Sequence, residues 1–374
     1  MLDSLGVVAA LVSPLAMTIG FFVWGEHWKG SAFSLNLFKC TLASSLFLLT
    51  AVCVDYAEFM NAWSKSESVN FILLSSFLGI LIGDNLWLLS LQMIGAKKVI
   101  VIDCLKPFLA AIFGLAFLNE PLQLGTLFGL FFSTIGVYLV CDSSTKSDAD
   151  ADENNSKEHV EKEKTLRSGY MLAAANVVLD AYGSVLTKQF GVDFNTFEIN
   201  FMRFGFASFV MAAIAIIASI IHKFYPGLNN QGPVLVSDSD TKFRELTQTS
   251  THNALHHDDE EGHVQENAES PSYESSPDDK STKLLWWQMP NEHIMNTKSW
   301  VYSSIGVIFV TFLCPALSNW ALFRIPLGVC LTLTSVGPIY SLPLSVYVKK
   351  EAISPKGTIG AILAVAGVAI LCFI

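Results

Sequence analysis

Residues 123–141 read Gln-Leu-Gly-Thr-Leu-Phe-Gly-Leu-Phe-Phe-Ser-Thr-Ile-Gly-Val-Tyr-Leu-Val-Cys, an apolar run without a charge. At 1.5 Å per residue a helix of this length covers about 28 Å, close to the roughly 30 Å of a hydrocarbon core. Runs of similar length recur along most of the chain. Their helical state follows from the solvent: in lipid, backbone N–H and C=O groups must pair internally, and a helix does so within one segment. Alternating barrel strands would not give unbroken apolar runs. The spacing predicts spans at 5–24, 34–54, 70–91, 98–117, 123–141, 169–187, 197–221, 300–323, 326–347 and 357–374, helices 1 to 10 in chain order. The expectation is an all-α integral membrane protein of about ten transmembrane helices, in contact with the lipid bilayer on every side.

Composition agrees. Of 374 residues, 52% are hydrophobic and 15% charged, with mean hydropathy +0.46; a soluble protein carries nearer a quarter charged residues. Two polar insertions, 142–168 and 224–298, hold most of the acidity behind the net charge of −10, so the membrane body is roughly neutral. The acidity therefore belongs to solvated loops and does not argue for a cationic substrate. The long insertion reads as disordered, ending in an aromatic interfacial anchor at Leu284-Leu285-Trp286-Trp287. Its His252, His256, His257 and His263, beside Asp258 to Glu261, read as a solvated linker, with weak divalent-metal buffering as the alternative. The seven cysteines show no CxxC spacing, and so imply neither a disulfide framework nor a zinc site. The first apolar segment, without a basic leader, reads as a retained helix.

An internal repeat organises the spans. A shift of 231 residues places Pro107, Glu120, Gly129 and Gly136 on Pro338, Glu351, Gly360 and Gly367; a shift of 164 places Asn36 and Lys39 on Asn200 and Arg203. The shifts differ by about the length of the long insertion, so one insertion reconciles both. The halves are 1–141 and 169–374, the second interrupted by 224–298. Five helices per half make their orientations opposite, and inverted repeats place a substrate site at their interface near midplane.

The stretch Gly83-Asp84-Asn85-Leu86-Trp87-Leu88-Leu89-Ser90-Leu91-Gln92-Met93-Ile94-Gly95-Ala96-Lys97-Lys98, continued through Pro107 and Leu118-Asn119-Glu120-Pro121-Leu122, resembles the helix 3–4 region of the EamA-type drug/metabolite transporter superfamily. The resemblance spans nearly everything except the insertions. It implies two inverted five-helix repeats around a central cavity and cytoplasmic termini.

Charges within spans are the best functional clues, because each costs about 2.5–3.5 kcal/mol near a helix centre unless paired or wetted. Asp103 and Lys106 share a face of helix 4, either as a charged substrate patch or as a self-neutralising pair. Asn176, Asp180, Ser184 and Thr187 form a polar stripe down helix 6, read as cavity lining. Thr334, Pro338, Ser341 and Ser345 form a weaker stripe on helix 9. Lys39 and Arg203 sit near helix ends, where snorkelling is the plain explanation and anion binding the sharper one. Asn319 on helix 8, and Asn85 with Gln92 on helix 3, are further cavity candidates. The glycines of helices 5 and 10 read as close-packing positions, and these helices are the candidate surface for a homodimer.

The functional expectation is a secondary transporter of a small polar metabolite, working by alternating access with proton coupling or exchange. Lys39, Lys106 and Arg203 tilt it towards anionic substrates. The alternatives are a divalent-cation (Mg) transporter and a membrane scaffold or receptor using the acidic loop. No P-loop, GxGD, HExxH or GxSxG motif occurs, so neither ATP coupling nor an enzyme is expected; no cofactor and no nucleic-acid partner is called for. Lysines cluster in the odd-numbered loops, which by the positive-inside rule puts both termini outside or in a lumen, against the family resemblance. The sequon Asn154-Asn155-Ser156 reports which holds.

Overall fold

The computed structural model describes residues 3–24, 27–94, 96–143, 156–224, 285–292, 294–340, 343–344 and 355–372. Helix α1 is Ser4–Trp24 and α2 Ala32–Val54. Helix α3 begins as Ser66–Ser76, widens into a π-helical stretch at Phe77–Gly83 and resumes as Asp84–Ile94. Helix α4 comes in two pieces, Ala96–Asp103 and Lys106–Phe117. Then follow α5 (Leu124–Ser143), α6 (Ser156–Phe190) and α7 (Thr196–Phe224). Helix α8 repeats the pattern of α3: Thr297–Val307, a π-helical stretch at Ile308–Leu313, then Cys314–Leu322. Helix α9 starts as Leu327–Thr334, and α10 is Pro355–Cys372. No strand occurs among the described residues.

Side-chain caps account for several starts. The Ser31 hydroxyl accepts the Ser34 N–H at 3.0 Å, and Asn296 accepts that of Ser299 at 2.8 Å. At α7 the exchange is reciprocal: Glu198 N–H donates to the Asn195 amide oxygen and Asn195 N–H to the Glu198 carboxylate, both at 2.9 Å.

Among the described residues six helices are long and apolar enough to cross a bilayer unaided: Ser4–Val23, Ala32–Val54, Ser66–Leu91, Thr165–Phe190, Thr196–Phe224 and Thr297–Leu322. Shorter apolar helices fall at Leu124–Leu139, Leu327–Tyr340 and Pro355–Leu371. Helix 4, expected as one span over 98–117, breaks at Cys104-Leu105, just before the Pro107 that cannot supply an interior backbone N–H. Helix 6 is longer than expected: it starts at Ser156, so part of the acidic 142–168 loop is helical. The histidines of the long insertion, Ser341, Ser345 and Glu351 lie outside the described residues. Trp287, expected at an interface, is buried inside the fold at 4% exposure, edge-on to Trp286, whose carbonyl accepts the Ser31 hydroxyl at 2.5 Å.

Local irregularities recur at the spacing of the sequence repeat. Shifting Phe77, where the first π stretch starts, by 231 gives Ile308, where the second starts. The break at Cys104-Leu105 maps onto the break at Ser335-Val336 in α9. Packing follows the same exchange: α2 lies on α7, α4 on α9 and α5 on α10, while α1 packs on α8 and α9 as α6 packs on α3 and α4. Phe209, Ile216, Ile217, Leu49 and Ile112 remain exposed on the outer faces. Such a surface suits lipid rather than water.

The α5–α10 contact is the closest. A Cβ on Gly136 would collide with the Ala364 backbone, and one on Gly367 with that of Ser133. These glycine faces are consumed within one chain, so a second copy approaching α5 and α10 would meet their outer faces instead, at Leu124, Phe128, Ile359 and Ile362. Because Ala364 presents backbone and cannot swing away, Gly136→Val is expected to lower stability by about 1–3 kcal/mol or more. Thermal melting in detergent, with Leu124→Val on the outer face as the near-neutral control, measures it.

Candidate functional site

The charged residues of the spans converge on α2, α3, α4, α6 and α7. Lys39 Nζ lies 2.6 Å from the Asp84 carboxylate, and Lys106 Nζ lies 2.7 Å from that of Asp180. The i, i+3 spacing of Asp103 and Lys106 thus does not make them an exclusive pair. The helix breaks between them, Lys106 reaches across to α6, and Asp103 accepts the Trp87 indole N–H at 3.0 Å. The other Asp103 carboxylate oxygen is buried without a hydrogen-bond partner. Asp84 and Asp180 side chains keep 30% and 32% of their surface accessible, so open space adjoins both ion pairs well inside the spans.

Arg203 completes the group. It is buried to 8% exposure, as is Lys39, and its Nε has no hydrogen-bond partner. Snorkelling to an interface is therefore not what either side chain does. The π stretch of α3 makes room for this approach: a Cβ on Gly79 would stand 3.3 Å from an Arg203 terminal nitrogen and 3.8 Å from an Asp180 oxygen. Below it, the Ser76 hydroxyl donates to the Arg203 carbonyl.

The α6 stripe faces α3. Asn176 points its amide oxygen at Gly83, and the Thr187 hydroxyl donates to Ser75 at 3.1 Å and to the Gly183 carbonyl at 2.8 Å. Ser184 is half-buried between them. Part of this stripe is helix-packing glue, with Asp180 the member that meets open space. Asn319 donates to the Asn200 amide oxygen at 2.6 Å, and Asn200 donates to the Pro315 carbonyl at 3.4 Å. Its repeat counterpart Asn36 donates to the Ile80 carbonyl at the same distance. Each asparagine thus satisfies a carbonyl within or just after a π stretch. Thr334 returns its hydroxyl to the Cys330 and Leu331 carbonyls of its own helix, and Asn85 does the same with Leu81, so neither is aimed at the cluster. The surface grooves on α6 around Tyr170 and on α7 around Ser219 lie on outer faces and touch none of these charges.

Asp84, Lys188 and Glu120 are not among the candidate site residues that the sequence suggests. Asp84 lies inside helix 3, and the cost argument applied to Asp103 and Asp180 would have singled it out too. Lys188 and Glu120 form a third pair at 2.6 Å, where Glu120 also accepts the Leu327 N–H at 2.7 Å and Lys188 donates to the Ile325 carbonyl at 2.6 Å. Asn119, in the left-handed region at φ 53°, turns the chain after α4 and aims Glu120 there.

The profile of the EamA-like transporter family matches residues 4–141 and 283–373. The chain belongs to this family. It is an integral multi-pass membrane protein of a transporter fold, and the central cluster falls largely on matched segments, with Asp180 and Arg203 on the unmatched stretch between them. No curated protein matches the sequence significantly. Among 26 matching chains of solved structures is one described only as a crystal structure of a protein, with TM-score 0.61 over 98% of this chain and 96% of that one. At 12% identity it shares the fold alone.

Removing one member of a partly buried ion pair strands the other, whereas removing both does not. Lys106→Met is therefore expected to lower the melting midpoint more than the double change Lys106→Met with Asp180→Asn. Melting curves of the wild type, the two single variants and the double variant give the coupling; additive effects would contradict a direct pair.

Proposed function

We propose that the chain is a secondary transporter that moves a small polar metabolite, preferentially an anionic one, by alternating access. The observation that carries this reading is the cluster of Lys39, Asp84, Asp103, Lys106, Asp180 and Arg203, drawn from both halves and adjoining open space deep in the spans. Intramembrane ionisable groups are kept where they meet a substrate, an ion or each other. The halves 1–141 and 169–374 would act as inverted repeats rocking about this cluster, with the broken α4 and α9 and the π stretches of α3 and α8 as the places where helices yield. Family membership supports transport as against catalysis.

Coupling is assigned to carboxylates of the cluster. Asp103 has a buried oxygen without a hydrogen-bond partner, and Asp180 is held by Lys106 alone, so either can take up a proton as the cluster opens. The divalent-cation reading is disfavoured, because Asp84 and Asp180 are each held by a lysine. Uptake and counterflow in proteoliposomes test the proposal. Asp180→Asn or Asp103→Asn is expected to abolish uptake driven by a pH gradient while the protein remains folded and monodisperse. Full coupling in both variants would rule out proton coupling through this cluster and leave exchange.

A further inference from the structure

The repeat predicts a partner for Arg203 that the chain does not contain. Lys39, its counterpart under the 164-residue shift, is neutralised by Asp84 of α3 at 2.6 Å. Under the 231-residue shift Asp84 falls on Pro315 of α8. Proline has no side-chain charge, and the Pro315 carbonyl is taken by Asn200, one helical turn before Arg203. The place where the symmetric carboxylate would stand is thus next to Arg203 and lacks an anion. Asp180 does not substitute for it: both side chains approach Gly79, but Asp180 is held by Lys106 at 2.7 Å and forms no ion pair with Arg203. Asp103, on α4, accepts the indole N–H of Trp87 on α3 and forms no ion pair with Arg203. Among the described residues no carboxylate comes within ion-pair distance of the Arg203 guanidinium, and its Nε is buried with no acceptor.

A guanidinium cannot shed its proton to escape this situation, as a lysine can. It is left desolvated with donors arranged in the planar fork that matches an oxyanion. Resting on the transporter reading above, we propose that Arg203 is the substrate-anchoring residue of the cluster, its guanidinium binding a carboxylate or phosphate group of the solute beside Gly79 and Pro315. Lys39 and Lys106, each already paired, position the site and do not take the anion. Substrate preference for anionic solutes then comes from one broken repeat position.

The test uses the full chain, purified in a neutral detergent, with thermal melting as readout. The probes are inorganic phosphate, acetate and succinate against chloride at equal ionic strength, plus phosphatidylglycerol as a separate arm. Phosphate or a carboxylate is expected to raise the wild-type midpoint by several degrees more than chloride does. Arg203→Gln is expected to remove that rise. Pro315→Asp restores the missing carboxylate, and should remove the rise while melting no lower than wild type, so the idea stays open to refutation if Arg203→Gln does not fold. A rise that persists in either variant, a wild type indifferent to all soluble anions, or stabilisation by phosphatidylglycerol alone would overturn the assignment. Counterflow on the same preparation separates the two readings. Transport of neutral or cationic solutes without anion stabilisation keeps the transporter and loses Arg203. Anion stabilisation that depends on Arg203, without flux of any solute, keeps the site and loses the transporter.

Discussion

A backbone amide inside hydrocarbon has its own helix as its nearest source of partners, and the architecture follows from that restriction. It allows departures from helical regularity only where protein supplies the missing hydrogen-bond partners. Both π stretches obey this: Asn36 donates to the Ile80 carbonyl within the first, and Asn200 to the Pro315 carbonyl just after the second. The widened turns are therefore built features with dedicated side chains, and the first of them lets Arg203 and Asp180 approach the α3 backbone at Gly79.

Charge obeys the same economy as the backbone. A lone cation or carboxylate in a span costs several kcal/mol, and direct pairing recovers much of it. Lys39–Asp84 ties α2 to α3, and Lys106–Asp180 ties α4 to α6. These contacts fix neighbouring helices in register near the middle of the molecule, while Lys188–Glu120 and Arg324–Asp3 do so at one edge. Arg324 also lies over the Trp320 ring at 4.0 Å, so its charge is sheltered on two sides.

Much of the helical plan was legible in the sequence because hydropathy reports lipid exposure directly. The spans of α1, α2, α7 and α8 were marked by apolar length alone. A 231-residue spacing is carried in the sequence by a few proline, glycine and charged positions, and the two π stretches start at the same spacing. The site was legible as a set of residue types and illegible as a set of pairs. Spacing of three on one helix suggested Asp103 with Lys106, but a break between them sends Lys106 to another helix. No local pattern encodes a partner 74 residues away (180 − 106). Lys39 and Arg203 resembled interfacial side chains because they stand early in their helices, yet both are folded into the interior. Asp84 carries the same signal as Asp103 and Asp180, a carboxylate inside an apolar span.

Helix α6 runs for 35 residues, Ser156–Phe190, which at 1.5 Å each makes a rod of about 52 Å, well beyond the bilayer core. Asp180 sits near one end of that rod, 24 residues (180 − 156) or about 36 Å from Ser156. Geometry then works as a lever arm. A tilt of about 10° pivoting at Asp180 would carry the Ser156 end through about 6 Å, outside the membrane and into the aqueous phase. A displacement too small to see at the ion pair would be read out, enlarged, at the acidic segment where α6 begins.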